Sequence, residues 1–184
     1  MDLLDLLRLQ GRANRLANQR LHAAMAPLPR ADFPATRTGF FPSLAATLNH
    51  ILAVDAYYLD ALHGLADMAA RFESFVAADT LEDLAARQAA SDERLMGFCS
   101  GLEPAGLDAV TTLDRTDRVD HDPVARVLAH LFMHQTHHRG QVHAMLSGTR
   151  VLPPQLDEFL LASDARLRGG DLAALGWDEA GLSK

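Results

Sequence analysis

The chain has 184 residues, 48% of them hydrophobic, and its 17 basic against 24 acidic side chains leave a formal charge of −7. That much apolar material suits one core, so a single domain over residues 1–184 is expected; an acidic balance without a Lys/Arg-rich run excludes nucleic acid as the main partner. Cys99 is the only cysteine, which excludes an intramolecular disulfide and a multi-thiolate zinc site and fits a reducing cytoplasm.

The opening MDLLDLLRLQ carries acidic residues where a signal peptide needs positive charge, and no apolar run approaches the length of a bilayer. A cytoplasmic protein with no membrane partner is expected. Apolar residues recur at three and four residues almost throughout, the helical period, between stretches of Pro, Gly and Asp. A first helix is predicted over about Leu3 to Met25, ending before the prolines of APLPRADFPATRTG. A second begins in FPSLAATLNHILAVDAYYLDALHG, with Pro42 at its first position and Gly64 as its stop. A third follows Thr80, which with Asp83 resembles a capping box, and ends near Gly101. AGLDAVTTLDRTDRVDHD reads as a loop or a small β-hairpin. A fourth helix opens at DPVARVLAH, with Asp122 as its cap and Pro123 in its first turn, and closes at Gly148. A short fifth is predicted from PPQLDEFLLA. Four long amphipathic helices point to an all-α four-helix bundle with a short extra C-terminal helix.

The segment HLFMHQTHHRGQ places four of the nine histidines in nine residues. At about 100° per residue, His138 falls inside the apolar arc of its helix and His134 at the edge, while His130, His137 and His143 lie outside. His134 and His138 stand at i and i+4, a spacing at which two imidazoles can share one cation. Spacing alone leaves a hydrogen-bonded core pair equally open. In HQTHH no glutamate stands beside the first histidine, so a zincin arrangement is absent. His50, on the border of the second helix's apolar arc with Val54 and Ala61, is the strongest third candidate. His22 and His63 read as solvent histidines. Three neutral imidazoles would leave positions open on a divalent cation, the pattern of a catalytic rather than a structural site. Gln141 and Arg139 are candidates for supporting roles, Gln141 toward a bound water or substrate and Arg139 toward an anionic substrate or an interhelical salt bridge. Asp55 reads as a buried ion pair or cap, Tyr57 and Tyr58 as pocket or packing residues, Asn14 and Asn18 as polar lining or interhelical hydrogen bonds, and Cys99 as a small core residue.

GRANRLANQRL, FFPSLAATLNHILAVDAYYLDAL, LAHLFMHQTHHRGQVHAML and VLPPQLDEFLLA together resemble the DinB/YfiT-like family of small bacterial metalloproteins, and the likeness covers nearly the whole chain. The resemblance implies an up-up-down-down bundle, a homodimer, and one divalent metal ion, whether zinc, nickel, iron or manganese, held by His50, His134 and His138. It also implies a small-molecule substrate: characterised relatives include metal-dependent transferases and isomerases that use a low-molecular-weight thiol such as bacillithiol, mycothiol or glutathione. A hydrolase working through metal-bound hydroxide, a non-catalytic metal-binding stress protein and a helical interaction protein are the competing expectations.

Overall fold

The computed structural model describes residues 1–183. It is mostly helical, with one antiparallel two-stranded sheet, so the all-α expectation is corrected by the hairpin between the third and fourth long helices. The elements are α1 (Leu3–Met25), α2 (Leu44–Leu62), α3 (Met68–Glu73), α4 (Leu81–Gly101), β1 (Val110–Arg115), β2 (Arg118–Pro123), α5 (Val124–Leu146), α6 (Ala165–Ala174) and α7 (Glu179–Ser183). No described helix is long and apolar enough to cross a membrane.

Local chemistry sets the boundaries. Ser43 caps α2, its hydroxyl accepting from the Ala46 amide at 3.0 Å, so Pro42, expected at the first helical position, lies just before the cap instead. Gly64, with φ +67°, stops that helix in the left-handed conformation that costs glycine little. Thr80 caps α4 by accepting from the Asp83 amide at 3.1 Å. Asp122 does not cap α5. β2 runs straight into that helix, and the amides of Val124 and Ala125 donate to the Ala109 and Leu107 carbonyls at 2.9 and 3.0 Å. With those orphan donors satisfied by backbone, the Asp122 carboxylate accepts from Arg126 instead, at 3.0 Å.

Two apolar clusters give the helices their directions. Leu4 and Leu7 of α1, Tyr57 and Tyr58 of α2, Leu95 and Cys99 of α4, and Leu128 and Leu131 of α5 share one. Leu21, Leu48, Leu84 and Val142 share the other. α1 and α5 therefore run one way while α2 and α4 run the opposite way, giving up-down-down-up and correcting the up-up-down-down order. The reason is the segment between α2 and α4: it carries Met68 in the first cluster and Ala78 in the second. There Asn49 clamps it, donating to the Ala78 carbonyl at 3.0 Å and accepting from its amide at 2.7 Å.

Between the two clusters every long helix contributes polar side chains, all buried: Asn14 and Asn18, Asp55, Gln88 and Asp92, and Gln135 and Arg139. Asn18 donates to Asp92 at 2.9 Å and Gln88 donates to Asp55 at 2.8 Å. Arg139 donates to Asn14, to Asn18 at 3.2 Å and to Gln135 at 2.9 Å. A partly satisfied buried network is costly, whereas a connected one fixes which faces meet.

The predicted fifth helix is absent from PPQLDEFLLA. Carbonyls that a helix would need are taken by two arginines: Arg20 donates to Gln155 O at 3.0 Å, and Arg168 to Phe159 O and Leu161 O at 2.8 and 2.6 Å. The side chain of Phe159 packs with Ala13, Leu16 and Ala17 of α1, and helix resumes only at Ala165.

Candidate metal centre

His50 comes from the middle of α2 and His134 and His138 from the middle of α5. One nitrogen from each of the three lies within 4.8 Å of the others, and His134 Nε2 is 3.0 Å from His50 Nε2. Two nitrogens bound about 2.0–2.1 Å from one cation lie roughly 2.9–3.4 Å apart at angles between about 90° and 109°, so the His50–His134 pair fits a single ion, and His138 offers its nitrogen within 4.8 Å of both. Their protonation fits as well. Burial, then the neighbouring imidazoles of His138 and His50, pushes His134 down to about 3; burial also lowers His50 and His138. All three are neutral at pH 7, with lone pairs free for a cation.

Gln141 turns out to act on a histidine. Its Oε1 accepts from His138 Nδ1 at 2.8 Å, and its amide nitrogen lies 3.1 Å from His137 Nε2. An outer acceptor of this kind fixes the tautomer and leaves Nε2 to face the site. His134 Nδ1 is buried and has no such partner. Phe41, just before the Ser43 cap, lies tilted against the His50 ring at 4.4 Å between centroids, and 5.6 Å from His138.

Arg139 does not reach the histidines; it points to the opposite side of α5, into the buried polar layer, and makes no direct bond to a carboxylate among the described residues. The substrate-anchor and salt-bridge expectations both give way to an amide-bound role. Gln135 and Arg139 directly follow His134 and His138 in the chain, so anchoring these two in the polar layer sets the rotation of α5 that presents the two imidazoles to the pocket. Asp55 likewise accepts from amides, Gln88 and Gln135, rather than from a cation. His22 is buried rather than solvated, with Nε2 unpartnered. His63 is exposed and bonds the Leu59 carbonyl at 2.7 Å. His130 and His137 are exposed. Cys99 is fully buried, its thiol pushed up to about 11 by burial.

The three histidines, with His130 beside them, form one wall of a pocket of about 490 Å³. Tyr57 and Tyr58 of α2, Phe72 of α3 and the tip of the β1–β2 hairpin complete it. The hairpin is held there by bonds across the pocket rim: Tyr57 donates to the Asp114 carbonyl at 2.8 Å and Thr116 to Glu73 at 3.0 Å. Sequence reasoning missed Phe72, His130 and the hairpin arginines as pocket residues, and Phe41 as the ring behind His50. α3 spans six residues, too few for a periodic signal.

The chain matches the family model described as DinB family over residues 9–167. No curated protein matches it.

Proposed function

The chain belongs to the DinB family, and from that premise we propose that it is a mononuclear divalent-metal enzyme acting with a low-molecular-weight thiol, of the S-transferase or isomerase type. The observation that carries this reading is the meeting of three neutral imidazoles from two helices, with His134 and His50 nitrogens at 3.0 Å, in the wall of a pocket large enough for a small molecule. His50, His134 and His138 would hold the ion, be it zinc, nickel, iron or manganese. When bound, the ion supplies Lewis acidity that lowers the pKa of a thiol and makes it a nucleophile at neutral pH.

The chain's own residues do the rest. Gln141 orients His138, Phe41 backs His50, and Tyr57, Tyr58 and Phe72 give the substrate a largely apolar wall that limits water. With three protein ligands, positions on the ion remain for a substrate. The same proposal includes a four-helix bundle formed by α1, α2, α4 and α5, a single domain, a cytoplasmic location and a homodimer, the last checked by sedimentation.

Cobalt-loaded protein tests the chemistry. Titration with a simple thiol is expected to change the visible spectrum while chelation leaves the fold largely intact. A spectrum indifferent to thiols, together with unfolding on chelation, would mark a structural ion and overturn the proposal.

A further inference from the structure

One face of the pocket carries charge at a distance from the histidines. Arg115, at the end of β1, lies over two aromatic rings, its guanidinium carbon 5.0 Å from the Tyr57 centroid and 5.5 Å from that of Tyr58. Its Nη2 donates to the Tyr58 hydroxyl at 3.0 Å. Nε is buried and makes no hydrogen bond, with the Asp120 carboxylate 3.6 Å away. A guanidinium held between aromatic rings and a tyrosine hydroxyl loses little freedom on binding, and the Nη atoms keep N–H groups beyond the one given to Tyr58 for an oxyanion.

The charges around it set the sign of the ligand. Arg115 and Arg118 line the pocket, and so do Asp114 and Asp117. Arg118 pairs with Asp117 at 3.3 Å and with Asp120 at 3.2 Å, so its charge is spent locally. With Asp120 counted beside Asp114 and Asp117, three carboxylates stand against these two arginines, an excess of one negative charge that a divalent ion would outweigh, and the three histidines have no carboxylate partner among the described residues. A divalent ion would leave the whole pocket net positive. Besides these groups the lining includes Val54, Tyr57, Tyr58, Ala69 and Phe72, with the His130 ring 5.1 Å from that of Tyr58.

We propose that the pocket takes an amphiphilic substrate with a carboxylate at the end remote from the metal-seeking atom, and that Arg115, steadied by Tyr58, binds that carboxylate. This rests on the thiol-dependent metal site proposed above. It names the substrate class: a soft donor at the histidines, an apolar body on the tyrosines and Phe72, and a carboxylate at the hairpin.

The experiment uses cobalt-loaded protein and two series of probes of increasing chain length, ω-mercaptocarboxylates and the matching ω-mercaptoalcohols, with dissociation constants read from the cobalt spectrum. Carboxylates are expected to bind about tenfold tighter than alcohols at one or more lengths, a modest figure because Arg115 is partly solvated. The preference is lost in Arg115→Gln and kept in Arg126→Gln, which changes an exposed arginine outside the pocket. If Arg115→Gln fails to fold, Arg115→Lys carries the test: charge without the fork should keep only part of the preference, and an undiminished one overturns the assignment. Equal binding of the two series at every length overturns it while leaving the metal and thiol reading in place. If no thiol alters the spectrum, that reading falls, and calorimetry on metal-free protein with 3-phenylpropionate and 3-phenylpropan-1-ol decides: a carboxylate preference abolished by Arg115→Gln upholds the subsite, and none refutes it.

Discussion

Gln141 Oε1 stands 2.8 Å from His138 Nδ1, one turn along the same helix, and this bond commits the other ring nitrogen of His138 to the pocket. Gln141→Leu removes the acceptor while keeping similar bulk. Metal affinity is expected to fall about 10- to 100-fold, in line with other outer-shell losses. Competition against a chelator of known affinity measures it, and an unchanged constant would show that packing alone holds the ring.

The histidines of α5 divide by direction. His138→Ala, His134→Ala and His50→Ala are each expected to abolish stoichiometric metal, whereas His130→Ala and His137→Ala, which alter exposed rings, leave most of it. Elemental analysis of the purified variants checks this; equal losses across all five would contradict a site made from His50, His134 and His138.

Arg139 is the cation of a layer that also buries Asp55 and Asp92. Arg139→Met leaves the amide oxygens of Asn14, Asn18 and Gln135 without this donor and Asp55 and Asp92 without that layer's cation, and a loss of about 1–3 kcal/mol is expected in denaturant unfolding. Adding Asp92→Asn should return part of that loss, since neutral amides need no counter-charge. A double variant no more stable than the single one would mean that the arginine acts through its shape alone.

Stability should respond to pH in two opposed ways. Burial lowers His22 to about 4 from 6.5; the unfolded chain then binds the extra proton first, so this contribution is present above pH 6.5 and lost as pH falls toward 4. Burial raises Asp92 to about 7 from 3.8, so its contribution is present below pH 4 and lost as pH rises through 7. His22→Leu is therefore expected to gain on wild type by roughly 3 kcal/mol as pH falls from 6.5 to 4. Asp92→Asn should gain instead between pH 4 and 7. Chemical denaturation across this range reads both; parallel curves for variant and wild type would place the titration elsewhere.

The parts legible in the sequence were those set by a single helix. Thr80 and Gly64 mark ends because a hydroxyl acceptor and a left-handed glycine are local devices. His134 and His138 share a face because 3.6 residues make a turn. What lay hidden depended on distant partners. The course of residues 63–80, and with it the direction of α4, hangs on Asn49 gripping Ala78. PPQLDEFLLA has a helical pattern but yields to Arg20, more than a hundred residues earlier. His22 lies on a helix side that looks polar until its neighbours cover it, and Arg139 next to a histidine pair invites a role in the site that its amide partners exclude.

Because β2 passes into α5 at Pro123 without an intervening loop, the roof of the pocket and the rod bearing two of its imidazoles share one stiff joint. Changes at the tip, Thr116 and Asp117, can recast what is admitted while the seat of the ion stays still.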